Sequence, residues 1–132
     1  MMTIALLLVQ TALPPSPLVA PAEDDIVVIG NKLKVWNGKG GVTFGIRRCR
    51  TTKSTGDKEI DNIGCRVMID CLLPMKPRII GAAKAAGRDA EKRKAAQAPL
   101  NAELTACVNA RRAALINELL DRRAAKRSEA GS

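Results

Sequence analysis

Four cysteines constrain the fold of this chain more than any other feature of its 132 residues. They are Cys49, Cys65, Cys71 and Cys107, an even number in a chain with one Trp, one Phe and no Tyr. A small domain with so few aromatic residues builds a modest core and needs a further source of stability. Whether the cysteines supply it as disulfides depends on the compartment, because disulfides persist in oxidising environments.

The N-terminal segment has the features of a cleavable export signal. Residues 4–13 form an apolar stretch that is too short to cross a membrane, and three prolines follow within residues 14–17. Residues 20–22, Ala-Pro-Ala, then provide the small side chains that a signal peptidase requires. We therefore predict that residues 1–22 are a signal peptide and that Glu23 begins a periplasmic or secreted protein with no transmembrane segment.

Export makes two disulfides the expected state of the four cysteines. A zinc site is not expected, because the chain has no C-x-x-C pair and no His. Cys65 and Cys71 lie on one predicted helix and point in different directions, so they should not bond to each other. That helix is expected to fold back over a hairpin that carries Cys49. We therefore favour Cys49–Cys65 with Cys71–Cys107, and the alternative is Cys49–Cys71 with Cys65–Cys107.

Strand patterns fill the beginning of the mature chain. Four β-branched residues at 26–29 predict a short strand, and polar–apolar alternation predicts strands at 32–36 and 42–50. Residues 37–41, Asn-Gly-Lys-Gly-Gly, form the expected turn between the last two strands. The sequence therefore predicts a β-hairpin over residues 32–50.

The pattern changes to helical spacing at Asp57. The apolar positions that share one helix face are Ile60, Ile63, Val67, Met68, Cys71 and Leu72. Ser54 or Thr55 can cap the start of this helix. Pro74 and Pro77 are expected to end it, because proline lacks the amide donor that a helix interior needs.

Two further helices are predicted. Residues 78–98 favour an exposed, loosely docked helix that Pro99 breaks. Asn101 can cap the last helix, which is expected to end near Lys126. Its expected core face consists of Leu104, Val108, Leu115 and Leu119. The predicted fold class is thus α+β: a short β-hairpin followed by two to three helices, stapled by two disulfides, with one domain over 23–127 and a disordered tail over 128–132.

No constellation of residues indicates catalysis. Ser54-Thr55-Gly56-Asp57 offers a hydroxyl near a carboxylate, but a nucleophile would need a base and the chain has no His. Helix capping accounts for these residues. Asp57 and Asp61 share a helix face, yet that face is expected to be solvated rather than a glycosidase site. We expect no enzyme activity and no cofactor. A small periplasmic enzyme or enzyme inhibitor with a site at residues 54–61 is the alternative.

Basic residues are the main indication of function. The chain has 22 Lys and Arg against 13 Asp and Glu, none of them in the signal segment, so the mature protein keeps a net charge of +9. The three basic groups are Arg47, Arg48, Arg50 and Lys53; Arg88, Lys92, Arg93 and Lys94; and Arg111, Arg112, Arg122, Arg123, Lys126 and Arg127. Such an excess favours anionic partners, here envelope lipids or polysaccharide, which the basic helices would contact. Nucleic acid is not expected, because stacking aromatic residues are almost absent. No particular protein partner is indicated.

Two segments resemble known proteins. Residues 25–30, Asp-Ile-Val-Val-Ile-Gly, resemble the TonB box of outer-membrane receptors. The resemblance implies a TonB-interacting peptide that adds a strand to a partner sheet, provided that residues 23–30 are free. The stretch from Cys49 to Cys71, with Ser-Thr-Gly-Asp at 54–57, is similar to small uncharacterised exported proteins of alphaproteobacteria. This second resemblance implies no activity.

Overall fold

The protein combines one β-hairpin with a set of helices, and the predicted α+β class is confirmed. The structure, a computed structural model, describes residues 23–131, so the predicted signal peptide lies outside the described residues. The helices are α1 (Glu23–Val35), α2 (Lys58–Val67), a π-helical turn (Met68–Leu72), α3 (Leu73–Ala86) and α4 (Ala90–Ala130), and the strands are β1 (Asn37–Thr43) and β2 (Ile46–Lys53).

Helix α1 occupies the region in which two strands were predicted, and that prediction is wrong. β-Branched residues favour strands only weakly, and burial of an apolar face overrides such a preference. Ile29 and Leu33, four residues apart, lie on one face of α1 and are buried, Ile29 with 3% of its surface exposed. The segment that resembles a TonB box is therefore helical, and strand addition to a partner would require α1 to unfold.

The hairpin begins five residues later than its predicted start. Its two antiparallel strands pair Gly40 with Cys49 and Thr43 with Ile46, and the glycine-rich segment predicted as the turn is β1 itself. These glycines allow close approach: a Cβ at Gly40 would lie 2.6 Å from Met68 Sδ. Isolated two-stranded hairpins are marginally stable. Here the contact with the helices supports the inner face of the hairpin.

The prediction that Pro74 and Pro77 end the helix after the hairpin is wrong, because helical structure continues to Ala86. Pro74 lies in the first turn of α3, immediately after the π-helical turn. Pro77 is accommodated inside α3. The wide π-helical turn lies directly between α2 and α3, so the three segments follow one another without a loop.

The break between the last two helices lies at Gly87, earlier than predicted. Gly87 ends α3 with a φ of 66°, which favours glycine. Asp89 caps α4 by accepting hydrogen bonds from the amides of Glu91 and Lys92 at 3.0 and 3.2 Å. The predicted break at Pro99 is wrong, since α4 continues through it, and no new helix begins at Asn101.

Helix α4 also continues to Ala130, through most of the segment predicted as a disordered tail. Its buried side chains pack with those of α1 and α2. The core cluster is Ile29, Leu33, Ile60, Ile63, Val67, Leu115, Ile116, Leu119 and Leu120. Of the predicted core face of this helix, Leu115 and Leu119 are buried, whereas Leu104 and Val108 are only partly covered.

Both disulfides connect elements that are distant in sequence. Cys49 of β2 bonds to Cys65 of α2, with the Cα atoms 5.4 Å apart. Cys71 of the π-helical turn bonds to Cys107 of α4, with the Cα atoms 5.8 Å apart. The favoured connectivity is confirmed and the alternative is wrong. The first bridge fastens the hairpin to the helices, and the second fastens α4 to the middle of the chain.

Candidate anionic-surface interface

Two arginines of the third basic group hold α4 against the beginning of α2. Arg123 Nη2 lies 2.6 Å from Asp57 Oδ2, and Arg122 Nη2 lies 3.6 Å from Glu59 Oε2. Asp57 also accepts hydrogen bonds from the amides of Glu59 and Ile60. Partial burial raises the pKa of Asp57, but the hydrogen bonds and the charge of Arg123 outweigh burial, so the pKa lies below its usual value. These arginines are therefore engaged within the fold.

Arg111 and Arg112, also of the third basic group, have different environments. Arg111 Nε donates a hydrogen bond of 2.7 Å to Asp70 in the π-helical turn. Arg112 is half-buried, and its Nε has no hydrogen-bond partner. Lys126 and Arg127 are exposed near the end of α4. The third group is thus not the continuous cationic face that its sequence pattern predicts.

The second basic group lies at the turn between α3 and α4. Its members are exposed, and they are Arg88, Lys92, Arg93 and Lys94. Arg93 Nε donates a hydrogen bond to the carbonyl oxygen of Gly87. Asp89 and Glu91 lie between these basic residues, which reduces the local excess of positive charge.

The hairpin carries the strongest local excess of positive charge. Its ionisable side chains, all basic and exposed, are Lys39, Arg47, Arg48, Arg50 and Lys53. None of them forms an ion pair with any residue that the structure describes. Lys39 pairs directly with Arg50 across the strands, and like charges in that position destabilise a sheet. An anion bound between them would relieve this repulsion.

The outer face of the hairpin presents its cations around a small concavity. Strand residues alternate between faces, so Lys39 lies on the same face as Arg48 and Arg50. The three side chains border a shallow cavity of about 370 Å³ whose floor includes Gly40 and Gly41. Glycines leave the backbone accessible here, because nothing lies within 4 Å of a Cβ placed at Gly41.

The tip of the hairpin is apolar and strained. Phe44 and Gly45 form its two-residue turn with φ values of 50° and 76°, the left-handed region that Asn and Gly favour in such turns. A non-glycine residue there is unfavourable, and a Phe has no polar group to compensate. The Phe44 side chain is 98% exposed, and Val42 and Ile46 on either side are each 55% exposed.

One face of α3 lies beside the inner face of the hairpin. Lys76, Ile80 and Lys84 are spaced four residues apart and therefore lie on one side of the helix. Together with Val42 of the hairpin they line an open groove of about 500 Å³. This groove lies on the side of the hairpin opposite Lys39, Arg48 and Arg50, because strand residues alternate between faces. We call the tip residues 42–46 together with the cations of the outer face the hairpin interface.

The segment considered for catalysis forms a closed hydrogen-bonded loop. Ser54 donates to the Asp61 carboxylate, and the Thr55 amide and hydroxyl donate to Asp61 Oδ1 at 2.8 and 2.7 Å. Partial burial raises the pKa of Asp61, but these hydrogen bonds outweigh it and the net pKa is lowered. The residue that caps α2 is Asp57, so the predicted cap at Ser54 or Thr55 is wrong. Ser54 and Thr55 bind the Asp61 carboxylate instead.

The sequence patterns missed Phe44 as a functional candidate, because the alternation from 42 to 50 placed it inside a strand. The dipeptide Phe44-Gly45, flanked by Val42-Thr43 and Ile46-Arg47, was the available signal for a tight turn.

Comparisons with protein-family models, curated proteins and solved structures found no match to this chain. Between residues 23 and 131, no helix has both the length and the hydropathy that crossing a bilayer requires.

Proposed function

We propose that this protein is a non-enzymatic envelope protein, periplasmic or secreted, that docks onto anionic lipid surfaces through its hairpin interface. The observation that carries the proposal is Phe44, an aromatic ring held in a strained conformation and almost fully exposed to solvent. The strained turn lowers the stability of the protein, and the exposed ring offers no burial that would offset it. Insertion of the ring into the boundary of a lipid headgroup layer would supply that burial.

The surrounding charges support a lipid rather than a polysaccharide partner. Apolar tip residues beside a ring of cations match the interfacial zone of a membrane, where apolar side chains meet acyl chains and cations meet phosphates. A polysaccharide would engage Arg48 and Arg50 but offer nothing to Phe44. Each Lys or Arg near an anionic membrane contributes about 1 kcal/mol, so several cations and one aromatic side chain give a reversible docking site.

The two disulfides support a location outside the cytoplasm, since such bonds persist where the environment is oxidising. Mass spectrometry of the unreduced protein recovered from the periplasm or the medium tests this part. We expect a chain that begins at Glu23 and lacks four hydrogens relative to the reduced form. A full-length, reduced chain confined to the cytoplasm would contradict it.

Phe44→Asn provides the sharpest test of docking. Asn suits the left-handed turn, so this variant should be more stable by about 1 kcal/mol in urea unfolding. It should also bind phosphatidylglycerol-containing vesicles about 10- to 100-fold more weakly, because it lacks the ring that would be buried in the lipid layer on docking. An increase in folding stability together with a decrease in vesicle affinity distinguishes a functional residue from a merely structural one. Unchanged vesicle affinity would refute insertion of the tip and leave a charge-only partner, such as a polysaccharide.

The contribution of charge is tested with two variants that each remove three positive charges. K39Q/R48Q/R50Q alters the outer face of the hairpin, and R88Q/K92Q/K94Q alters the second basic group. We expect the hairpin variant to lose about 100-fold in affinity for anionic vesicles and the control to lose much less. Binding should weaken as salt rises and be absent with phosphatidylcholine vesicles. Equal losses in both variants would show that net charge alone, and not the hairpin, determines binding.

A further inference from the structure

A second candidate site begins with Arg112, which differs from its neighbour Arg111. Arg111 is satisfied by Asp70 at 2.7 Å. The Arg112 guanidinium is half-buried, its Nε is shielded from solvent without a hydrogen-bond partner, and it forms no ion pair within residues 23–131. Buried donors in folded proteins almost always have a partner, so the environment of Arg112 is unusual.

Arg112 lines a cleft between α1, the α2–π-helical segment and α4. The cleft has a volume of about 200 Å³. Apart from Arg112, its lining side chains are apolar or aromatic, and they include Trp36, Val67, Met68, Leu104 and Val108. No acidic side chain lines it, which leaves the guanidinium without a compensating charge from the protein.

The π-helical turn contributes directly to this cleft. Met68 and Leu72 at its two ends both line the cavity. π-Helical turns inside α-helices are rare and occur frequently at functional sites. Met68 is also a flexible side chain that adapts to differently shaped ligands. The wall of the cleft is thus built at an irregular point of the backbone rather than within a regular helix.

We infer that this cleft binds a small monocarboxylate with an apolar body, such as a medium-chain fatty acid, with the carboxylate on Arg112. A guanidinium binds a carboxylate with two parallel hydrogen bonds, which the two terminal nitrogens of Arg112 can supply. The apolar walls exclude a ligand with several charges, since those would be buried without partners. The volume is below the range of about 300–1,000 Å³ typical for drug-sized ligands, so the ligand is small.

The chain carries its own reporter for this site. Trp36 is the sole tryptophan and lines the cleft, so its fluorescence reports on occupancy. Titration with octanoate below its micelle concentration should give a saturable change in emission. We expect 1-octanol, which has the same chain without the charge, to bind at least tenfold more weakly. Equal affinity for octanol and octanoate would overturn the assignment of the carboxylate to Arg112.

Arg112→Gln and Arg111→Gln form a matched pair, since each removes one guanidinium from adjacent positions. Octanoate affinity should fall at least tenfold in R112Q and stay within about twofold in R111Q, because Arg111 lies outside the cleft. Wild-type affinity in R112Q would refute the inference. Val108→Phe provides an independent test by filling the cleft, and retained octanoate binding in this variant would refute the inference as well. Phe44→Asn should leave octanoate binding unchanged, which separates this site from the hairpin interface.

Discussion

Removal of either disulfide should cost a large and unequal share of the stability of this protein. The bridge from Cys71 to Cys107 spans 36 residues and the bridge from Cys49 to Cys65 spans 16. Constraining the unfolded chain over these loops contributes about 4 kcal/mol and about 3 kcal/mol respectively. The two loops do not overlap in sequence, so their contributions should add to about 7 kcal/mol. Small domains are stable by only about 5–15 kcal/mol, so the fully reduced protein should be marginal or unfolded.

The variants C71A/C107A and C49A/C65A separate the two contributions. Alanine avoids placing a hydroxyl at Cys71, whose side chain is only 1% exposed. Urea unfolding followed by far-ultraviolet circular dichroism should show the larger loss for C71A/C107A, because it opens the longer loop and also removes a buried sulfur. A loss below about 1 kcal/mol in either variant, or a clearly larger loss for C49A/C65A, would refute the reasoning from loop length.

Three further predictions concern the core and the beginning of α2. Leu119→Ala removes a side chain with 0% exposure and should lower the free energy of unfolding by about 2–5 kcal/mol in urea titrations. Asp57 and Asp61 have lowered pKa values when folded, so they stabilise the fold above the unfolded-state value of about 3.9, and this stability is lost as the pH falls through the folded values. Thermal melts over an acid pH series should show this loss, and it should be smaller in D57N/D61N. Gly64→Ala places a Cβ 2.5 Å from the Trp36 ring, so it should destabilise the fold and shift tryptophan emission, although alanine favours helices more than glycine does.

The predicted disulfides and the amphipathic helix followed from local patterns that the structure keeps. The apolar spacing after Asp57 placed Cys65 and Cys71 on different sides of one helix. A single helix with this geometry can be fastened to the hairpin on one side and to α4 on the other. The helical period excluded only a bond between Cys65 and Cys71. The choice between the two remaining pairings depended on the expected fold-back of this helix over the hairpin, which the structure shows.

Helix α1 could not be predicted from local preference. Residues 26–29 are all β-branched, and their intrinsic preference is for strands. The helical state is selected because it buries Ile29 and Leu33 against α2 and α4, elements that follow much later in the chain. The same limit applies to Pro99, which remains within α4 although its local effect is to break a helix.

The position of the hairpin turn was misjudged because glycine has two uses. Glycines at 38–41 suggested a turn, but Gly40 is required where β1 approaches Met68 and Leu73. The actual turn uses Gly45 with an unfavourable Phe44 before it. Phe is disfavoured in a left-handed turn position, so a prediction from sequence does not place the turn at Phe44-Gly45. Phe44 is nevertheless the residue that distinguishes this surface.

The basic surface shows most clearly what a sequence can and cannot indicate about a site. Arg123 and Asp57 are 66 residues apart and form an ion pair, so the pattern of charges along α4 could not reveal which arginines are free. Residues 37–53, by contrast, contain five basic side chains and no acidic one, so no neighbour in the segment can neutralise them. A local charge excess without local counter-charges predicts a free cationic surface better than the total charge does. By this criterion the hairpin, rather than the basic helices, is the surface on which an anionic partner should be sought.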